Sequence, residues 1–513
     1  MENNQIYNQG EPMGQMMPPQ RPMPIWQRMV NSARKVQNVY PKWLAQYSIA
    51  VYLVALAIVS FMYSAYSLPW YYMLSGVVAV TVFFLYGSTA AQKTSIVRIR
   101  KEKAFEKKLF LIAFIPRITF MILLYWIFQE NYGDAFGFEN SDATFYDDLG
   151  KDFAIALSDG NFISFFSKTS DIYEFDDIGY ATYVGFIYWL TGNSIIILRL
   201  IKCILSSITV LLICRVAKRN FGEETGRMAA IFAALWPNFW YYCAVHLKET
   251  EMVFLAVLFV EQAEQMLRSR NFTAWKVIPI LLIAASLFTL RTPLALIALL
   301  SLVFSLVMSS SKVVSWGKRI AVGGLAILLI ILTMGNRISE EARGLVNTVQ
   351  SDEQQDNMSW RSERKDGNSF AKYAGATVFA PMIFTIPFPS MVRPYDGQDE
   401  QQILNGGNFV KNIMSGCTIL AMFTLLLSGK WRDHLLPLSF MLGYLVVLTM
   451  STFAQSERFH QPAMPFELMF MAYGVSVAVT KRKYKRWFMY WCCLMFVACV
   501  AWNWFKLAGR GLV

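Results

Sequence analysis

Charged residues are scarce in this chain. Asp, Glu, Lys and Arg make up 16% of its 513 residues, whereas 55% are hydrophobic and 15% are aromatic. A soluble domain carries about 25% charged residues. An ordinary soluble core therefore does not explain this composition, which indicates a polytopic membrane protein.

Cysteine is absent from the positions where it would cross-link loops. The seven cysteines all lie in or beside apolar segments, and no pair of them flanks a long polar loop. This placement argues against both a disulfide framework and a zinc site. We interpret the cysteines as small buried apolar side chains.

The first residues lack an apolar run that precedes a small-residue cleavage site. We therefore expect residues 1–44 to be a disordered lead and an interfacial amphipathic helix over 25–44, not a signal peptide. A generic basic helix is the alternative for 25–44. The Lys and Arg content of the loops, described below, predicts that the N-terminus lies in the cytoplasm.

Long apolar runs are abundant. Because about 20 apolar residues span a bilayer as a helix, the sequence predicts an all-α protein with about 13 transmembrane helices. The predicted spans are 47–66, 69–87, 109–129, 193–214, 228–244, 251–266, 277–290, 293–310, 319–335, 411–428, 435–453, 462–480 and 487–507.

The distribution of charge predicts the orientation of these spans. The loop at 92–108 has seven basic and two acidic residues, and every other strongly basic loop also follows an even-numbered span. The loop at 130–178 has twelve Asp or Glu and two Lys. Since Lys and Arg mark cytoplasmic loops, we predict that 130–178 and 336–410 are two large outer loops carrying short amphipathic helices.

The net charge of +12 is then mainly a signal of topology, and we predict no nucleic-acid partner. We expect an N-terminal helical hairpin and basic loop over 45–108, a catalytic core over 109–335, and C-terminal transmembrane helices over 411–513. Between the last two, the second half of loop 336–410 is apolar and rich in proline. We interpret it as a partly embedded segment, which could form a lid.

With this orientation, unusual polar residues from five segments meet at the outer face. Arg199 and Lys202 lie inside a span, where each charge costs roughly 2.5–3.5 kcal/mol unless it faces a partner or water. The full candidate set is Asp142, Asp147, Asp148, Arg199, Lys202, His246, Lys248, Glu249, Arg291, Arg458 and His460. Such a set suits the binding of an anionic lipid headgroup.

Each residue also has an ordinary structural explanation. Asp142 could cap the helix that follows it, and Asp147 and Asp148 suit a solvated face. Arg291 and Arg458 could be interfacial charges whose stems lie along apolar surface. His246 and Glu249 share a helical face and could bind a metal, although two ligands are only half a site.

The order of five motifs resembles the GT-C class of membrane glycosyltransferases, in the branch of protein O-mannosyltransferases and aminoarabinose transferases. The motifs are SDATFYDDLGKDF, the stretch from DDIGYATY to VAKRNFG, WPNFWYYCAVHLKETEMVF, LFTLRTPLALIAL and ERFHQPAMPFELMFMAYG. The resemblance covers most of residues 109–480. It implies a donor in which the sugar is carried on a polyprenyl phosphate.

The resemblance also implies roles for individual residues. Asp142 matches the family's general base and precedes an aromatic-bearing helix that contains Tyr146. The family often has an acidic pair where this chain has Asp142 followed by Ala143, so the second carboxylate is Asp147, Asp148 or absent. Other positions that match charged residues of the family are Arg199, Glu249, Arg291 and Arg458. In the family the arginine matched by Arg291 directly precedes a proline, whereas here Thr292 intervenes. Residues 179–192 match a family helix that lies along the outer surface.

The predicted function is transfer of a sugar from a polyprenyl-phosphate donor to an acceptor hydroxyl at the outer face of the plasma membrane. Asp142 would be the catalytic residue, and the substrate would contact Tyr146, Asp148, Arg199, Lys202, Lys248, Glu249, Arg291, Arg458 and His460. The acceptor would be a glycan, a lipid or a protein. A divalent metal is left open as a cofactor, and the alternative functions are a polysaccharide polymerase or ligase and a flippase or exporter of a lipid-linked saccharide.

Overall fold

The computed structural model describes most of the chain. The described ranges are 40–96, 102–137, 140–169, 175–269, 274–310, 368–371, 375–393, 400–451, 453–480 and 482–513, with a few single residues between them. The predicted lead, most of the predicted interfacial helix and nearly all of the span at 319–335 lie outside the described residues.

The described residues form helices and no β-strand. The helices are α1 (Lys42–Met62), α2 (Trp70–Thr81), α3 (Gly87–Ile96), α4 (Glu102–Tyr132), α5 (Asn140–Ser158), α6 (Phe162–Thr169), α7 (Phe175–Thr191), α8 (Ile195–Phe221), α9 (Glu223–Leu235), α10 (Pro237–Ala244), α11 (Glu249–Arg268), α12 (Val277–Phe288), α13 (Thr292–Met308), α14 (Ala376–Phe379), α15 (Glu400–Ile403), α16 (Asn405–Leu427), α17 (Leu435–Met450), α18 (Glu457–His460), α19 (Met464–Ala478) and α20 (Arg482–Ala508). A π-helical turn at Val82–Tyr86 joins α2 to α3.

The prediction of an all-α polytopic membrane protein is confirmed. Within the described ranges, seven helical stretches are long and apolar enough to cross a membrane, and three apolar helices are shorter. The long stretches are Lys42–Met62, Trp70–Gln92, Phe105–Tyr132, Ile195–Phe221, Asn405–Leu427, Lys430–Met450 and Lys483–Ala508, and the shorter helices are α12, α13 and α19.

One predicted span is divided into two helices. The sequence predicts a single span over 228–244, but α9 ends at Leu235 and α10 begins at Pro237. Proline lacks the backbone N–H that would continue α9, and it biases the preceding Trp236 towards an extended conformation. Trp236 is accordingly extended, at φ −67° and ψ 114°.

Two glycines of α7 allow this helix to lie directly against α5 and against the turn between α12 and α13. A Cβ atom on Gly185 would come within 2.5 Å of the carbonyl oxygen of Gly150, which is backbone and cannot move aside. A Cβ atom on Gly179, near the start of α7, would come within 1.8 Å of the carbonyl oxygen of Thr289. Small residues therefore bring α5, α7 and the turn between α12 and α13 together.

The apolar segment at 381–393 is largely buried inside the protein. Asn503 of α20 accepts a hydrogen bond from Met391 N at 2.7 Å and donates one to Pro389 O at 3.1 Å. Lys411 of α16 donates to Ile386 O at 2.7 Å. Helix side chains thus satisfy a non-helical backbone, the condition under which such a segment is tolerated at membrane depth.

Candidate active site

The centre of the site is an arginine held between two carboxylates. Arg458 donates from Nη1 to Asp142 Oδ2 and from Nε to Glu249 Oε1. We call these three residues the Arg458 triad. They come from α5, α11 and α18, so the folded bundle gathers charges that are far apart in the sequence.

Local structure explains where each member of the triad lies. Asp142 is in the first turn of α5, where the helix dipole favours a negative charge. The interpretation of Asp142 as the helix cap is wrong, because α5 already begins at Asn140. Glu249 is the first residue of α11, and Arg458 belongs to the short helix α18.

The members of the triad differ in exposure. The Asp142 side chain is 50% exposed, whereas those of Arg458 and Glu249 are 17% and 1% exposed. Burial alone would lower the pKa of Arg458, but the charges of Glu249 and Asp142 outweigh it and raise that pKa well above the usual value. The triad thus holds a permanent cation and keeps one carboxylate within reach of a substrate.

A second arginine lies beside the triad. The guanidinium carbon of Arg291 is 4.2 Å from the centroid of the Phe459 ring, and that of Arg458 is 5.9 Å from the same centroid. Arg291 precedes α13, where the backbone is extended at φ −165° and ψ 108°. Phe459 therefore lies near both predicted arginines.

Lys202 stabilises the turn between α10 and α11. Its Nζ donates to Val245 O at 2.8 Å and to Leu247 O, and it lies 3.8 Å from Glu251 Oε2. Protein groups therefore surround this ammonium, which sets the conformation of the turn that carries Lys248.

Aromatic rings extend the site from this turn. Lys248 Nζ is 5.5 Å from the centroid of the Tyr146 ring, and Tyr146 packs edge-on against Tyr180 at 4.9 Å. Tyr146 is buried within α5. Lys248 thus extends over the helix that carries Asp142.

The two neighbouring aspartates of α5, Asp147 and Asp148, differ in burial. Asp147 is only 1% exposed, and its carboxylate accepts from the Tyr188 hydroxyl at 2.5 Å and pairs with Lys151 at 2.5 Å. The interpretation of Asp147 as part of a solvated face is therefore wrong, because α7 covers it. The Asp148 side chain is 67% exposed and lies 3.6 Å from Lys151.

His460 belongs to a different, fully buried network. Its Nδ1 lies 2.7 Å from Lys411 Nζ, and its Nε2 lies 2.7 Å from Ala454 O. Both ring nitrogens therefore have protein partners, which fits an internal role better than direct contact with substrate. Asn238 extends the polar interior by donating to Glu457 Oε1 at 2.6 Å.

Arg199 and His246 are buried side chains with unused hydrogen-bonding atoms. Arg199 donates from Nη2 to Ala135 O, but its Nε and Nη1 have no partner among the described residues. Within the same described ranges, neither ring nitrogen of His246 has a hydrogen-bond partner. Burial, and then the charges of Lys202, Arg199 and Lys151, lower the pKa of His246 well below its usual value, so the ring is neutral.

The contacts of His246 and Glu249 do not support the idea that these two side chains bind a metal together. Glu249 Oε1 accepts from Arg458, and His246 packs against the rings of Phe136, Tyr180 and Tyr188. In the part of the chain that the structure describes, no three His, Cys, Asp or Glu side chains come together as a metal site.

Several partners in the site were not expected from the sequence. Tyr188, Glu251 and Phe459 contact predicted residues. They lie inside the quoted motifs, but nothing in the sequence singled them out. Arg117 was also missed, although the rule used for Arg199 would have found it, since it is a charge inside an apolar span.

An all-α membrane bundle with carboxylates and arginines gathered at helix ends suits a membrane glycosyltransferase of the GT-C class. The family model described as dolichyl-phosphate-mannose-protein mannosyltransferase matches residues 179–335. The match confirms the resemblance over that segment and supports glycosyltransferase activity. It includes Arg199, Glu249 and Arg291 but not Asp142 or Arg458. No curated protein and no solved structure matches the chain.

Proposed function

We propose that the protein transfers a sugar from a polyprenyl-phosphate donor to an acceptor hydroxyl at the outer face of the membrane. The observation that carries this proposal is the Arg458 triad, in which a half-exposed carboxylate is held at a helix end by a buried arginine. The family match supplies the reaction class.

Asp142 is the proposed general base. An acceptor hydroxyl has a high pKa and must lose its proton as it attacks the sugar, so a carboxylate within hydrogen-bond reach is needed. Asp142 is the member of the triad with substantial exposure, whereas Glu249 is enclosed. The hydrogen bond from Arg458 Nη1 orients the Asp142 carboxylate.

Glu249 is proposed to position Arg458. A buried arginine with a single carboxylate partner could turn towards that partner and neutralise it. By binding Nε, Glu249 fixes the plane of the guanidinium and divides its charge between two carboxylates. Asp142 then stays oriented, while part of its negative charge is available to draw a proton from the acceptor.

Departure of the phosphate builds up negative charge, which fixed cations stabilise more strongly in the transition state than in the ground state. Arg291 is suited to this role because it lies on the Phe459 ring beside the triad. Within the triad, the charge of Arg458 is already balanced by two carboxylates.

Reconstituted vesicles test the proposal directly. Supplied with a labelled polyprenyl-phosphate sugar and a cell-envelope extract, the protein should form a new glycosidic bond. Movement of the labelled lipid across the vesicle membrane without bond formation would instead establish a flippase. Mass spectrometry of envelope glycans from a deletion strain would identify the sugar and the acceptor.

The proposed orientation has a separate test. A cysteine introduced at Asp148, which is exposed on α5, should react with an impermeant reagent in intact cells. Reaction only after permeabilisation would reverse the orientation and place the site on the cytoplasmic face.

A further inference from the structure

Lys411 is a buried charge that the proposed chemistry does not use. It lies in α16, in a helical stretch that is long and apolar enough to cross a membrane, and it has no exposed surface. A charge inside such a helix is costly unless it faces a partner or water, and it commonly marks a functional site. The partners of Lys411 therefore indicate what this charge does.

The ammonium of Lys411 joins two separate parts of the chain. Its Nζ donates to Ile386 O at 2.7 Å, in the apolar segment at 381–393, and lies 2.7 Å from His460 Nδ1. His460 Nε2 lies 2.7 Å from Ala454 O. Because an ammonium only donates and a carbonyl oxygen only accepts, Nε2 carries the ring proton and Nδ1 accepts from Lys411. These two hydrogen bonds fix the orientation of the imidazole.

The short helix α18 has an inner and an outer pair of side chains. Glu457 and His460, three residues apart, are both buried. Between them, Arg458 belongs to the triad and Phe459 carries Arg291 on its ring. So short a helix is only marginally stable by itself. The contacts of the inner pair therefore decide how Arg458 is presented to the site.

Glu457, the other member of the inner pair, is held by neutral donors and by the charge of Lys411. Its Oε1 accepts from Asn238 of α10 at 2.6 Å and from Gln461 at 2.7 Å. The charge of Lys411 acts on Glu457 and also on Glu467 of α19. Lys411 thus contacts one inner side chain of α18 directly and balances the charge of the other.

We propose that Lys411 positions Arg458 for the reaction by fixing α18 through His460. Both hydrogen-bond partners of Lys411 lie outside the triad, so it is a positioning residue and not a catalytic one. A displacement of α18 would move Arg458, and with it the Asp142 carboxylate that Arg458 orients. The effect on sugar transfer rests on the proposed function, whereas the link from Lys411 to α18 does not.

Asn412 provides a matched control because it holds the same segment by other bonds. Its Nδ2 donates to Thr385 O and, at 3.1 Å, to Pro387 O, which flank the carbonyl that Lys411 binds. Neither acceptor belongs to α18. Asn412→Leu therefore loosens the segment but leaves the contact between Lys411 and His460 in place.

His460→Leu is the decisive variant, because it removes the acceptor for Lys411 without changing a charge. Lys411→Met removes the ammonium itself, but it also leaves Glu457 and Glu467 unbalanced and so disturbs folding as well. His460→Asn is the conservative variant, since its side-chain oxygen can replace Nδ1 as the acceptor.

Sugar transfer in reconstituted vesicles measures the positioning. In His460→Leu, kcat per folded molecule should fall by about 10- to 100-fold, with KM for the donor nearly unchanged. His460→Asn should recover most of the lost kcat. Asn412→Leu should lower the melting temperature and keep the kcat of the wild type.

Hydrogen exchange of the backbone amides at 457–461 tests the link to α18 without requiring activity. Exchange there should be about tenfold faster in His460→Leu than in the wild type, as expected for the loss of a hydrogen bond to a charged group. In Asn412→Leu, exchange at 457–461 should match that of the wild type.

The two measurements separate the outcomes. A wild-type kcat in His460→Leu, or an equal loss of kcat in Asn412→Leu, would overturn the positioning role. A higher KM with an unchanged kcat would instead make His460 a substrate contact. Unchanged exchange at 457–461 in His460→Leu would overturn the link itself. Absence of sugar transfer by the wild type would contradict the proposed function alone, and faster exchange in His460→Leu would still establish the link.

Discussion

Arg458 and Asp142 are 316 positions apart in the sequence and joined by a hydrogen bond in the structure. The same guanidinium binds Glu249, the first residue of α11. Arg458, in the short helix α18, thus connects the acidic start of α5 with the start of α11. The proposed chemistry depends on this connection.

Glu249→Gln should lower turnover more than it alters the affinity for the donor. Loss of the carboxylate charge leaves Arg458 with Asp142 as its only charged partner in the triad, which should shift the guanidinium and with it the Asp142 carboxylate. A displacement of about 1 Å can cost about 100-fold in rate, so we expect kcat to fall 10- to 100-fold with KM for the donor nearly unchanged.

The amount of folded protein distinguishes positioning from simple destabilisation. In Glu249→Gln, kcat should fall when it is expressed per folded molecule. Glu223→Gln, which removes a surface ion pair with Arg227, is the control and should keep the kcat of the wild type. A loss of activity that only matches the loss of folded protein would show that Glu249 has only a structural role.

The contact between α5 and α7 should tolerate no side chain at Gly185. Gly185→Ala places a Cβ atom against the backbone of Gly150, and such overpacking costs about 1–3 kcal/mol. We expect a lower melting temperature in detergent. At Gly443 a Cβ atom would meet only Ile297 side-chain atoms at 3.4 and 3.6 Å, so Gly443→Ala should be neutral or stabilising.

His246 should make the protein less stable in acid. Burial, and then the charges of Lys202, Arg199 and Lys151, lower its pKa in the folded state. Below pH about 6.5 the unfolded chain therefore binds a proton that the folded protein does not, and the free energy of unfolding falls by about 1.4 kcal/mol per pH unit.

This dependence should disappear with the imidazole. When the pH falls from about 7.5 to about 5.5, on either side of the usual histidine pKa, the melting temperature of His246→Gln should decrease less than that of the wild type. Parallel losses in the two proteins would show that His246 is protonated in the folded state.

Apolar length was sufficient to predict most helices, since it follows from the cost of unpaired polar groups in lipid. The break at Pro237 was missed because the apolar run continues through it. Motif order led to Asp142, Glu249 and Arg458, but not to their mutual contact. The burial of Asp147 and the role of Lys202 depend on which helix lies opposite, which no local pattern encodes.

The most direct test of the account is sugar transfer by Asp142→Asn in reconstituted vesicles, measured beside Asp152→Asn. Loss of a general base costs about 10²- to 10⁴-fold in rate, so Asp142→Asn should lose transfer by that factor while keeping its fold. Asp152→Asn removes an exposed aspartate from the same helix and should transfer at a rate near that of the wild type. Near-normal transfer by Asp142→Asn would contradict the account.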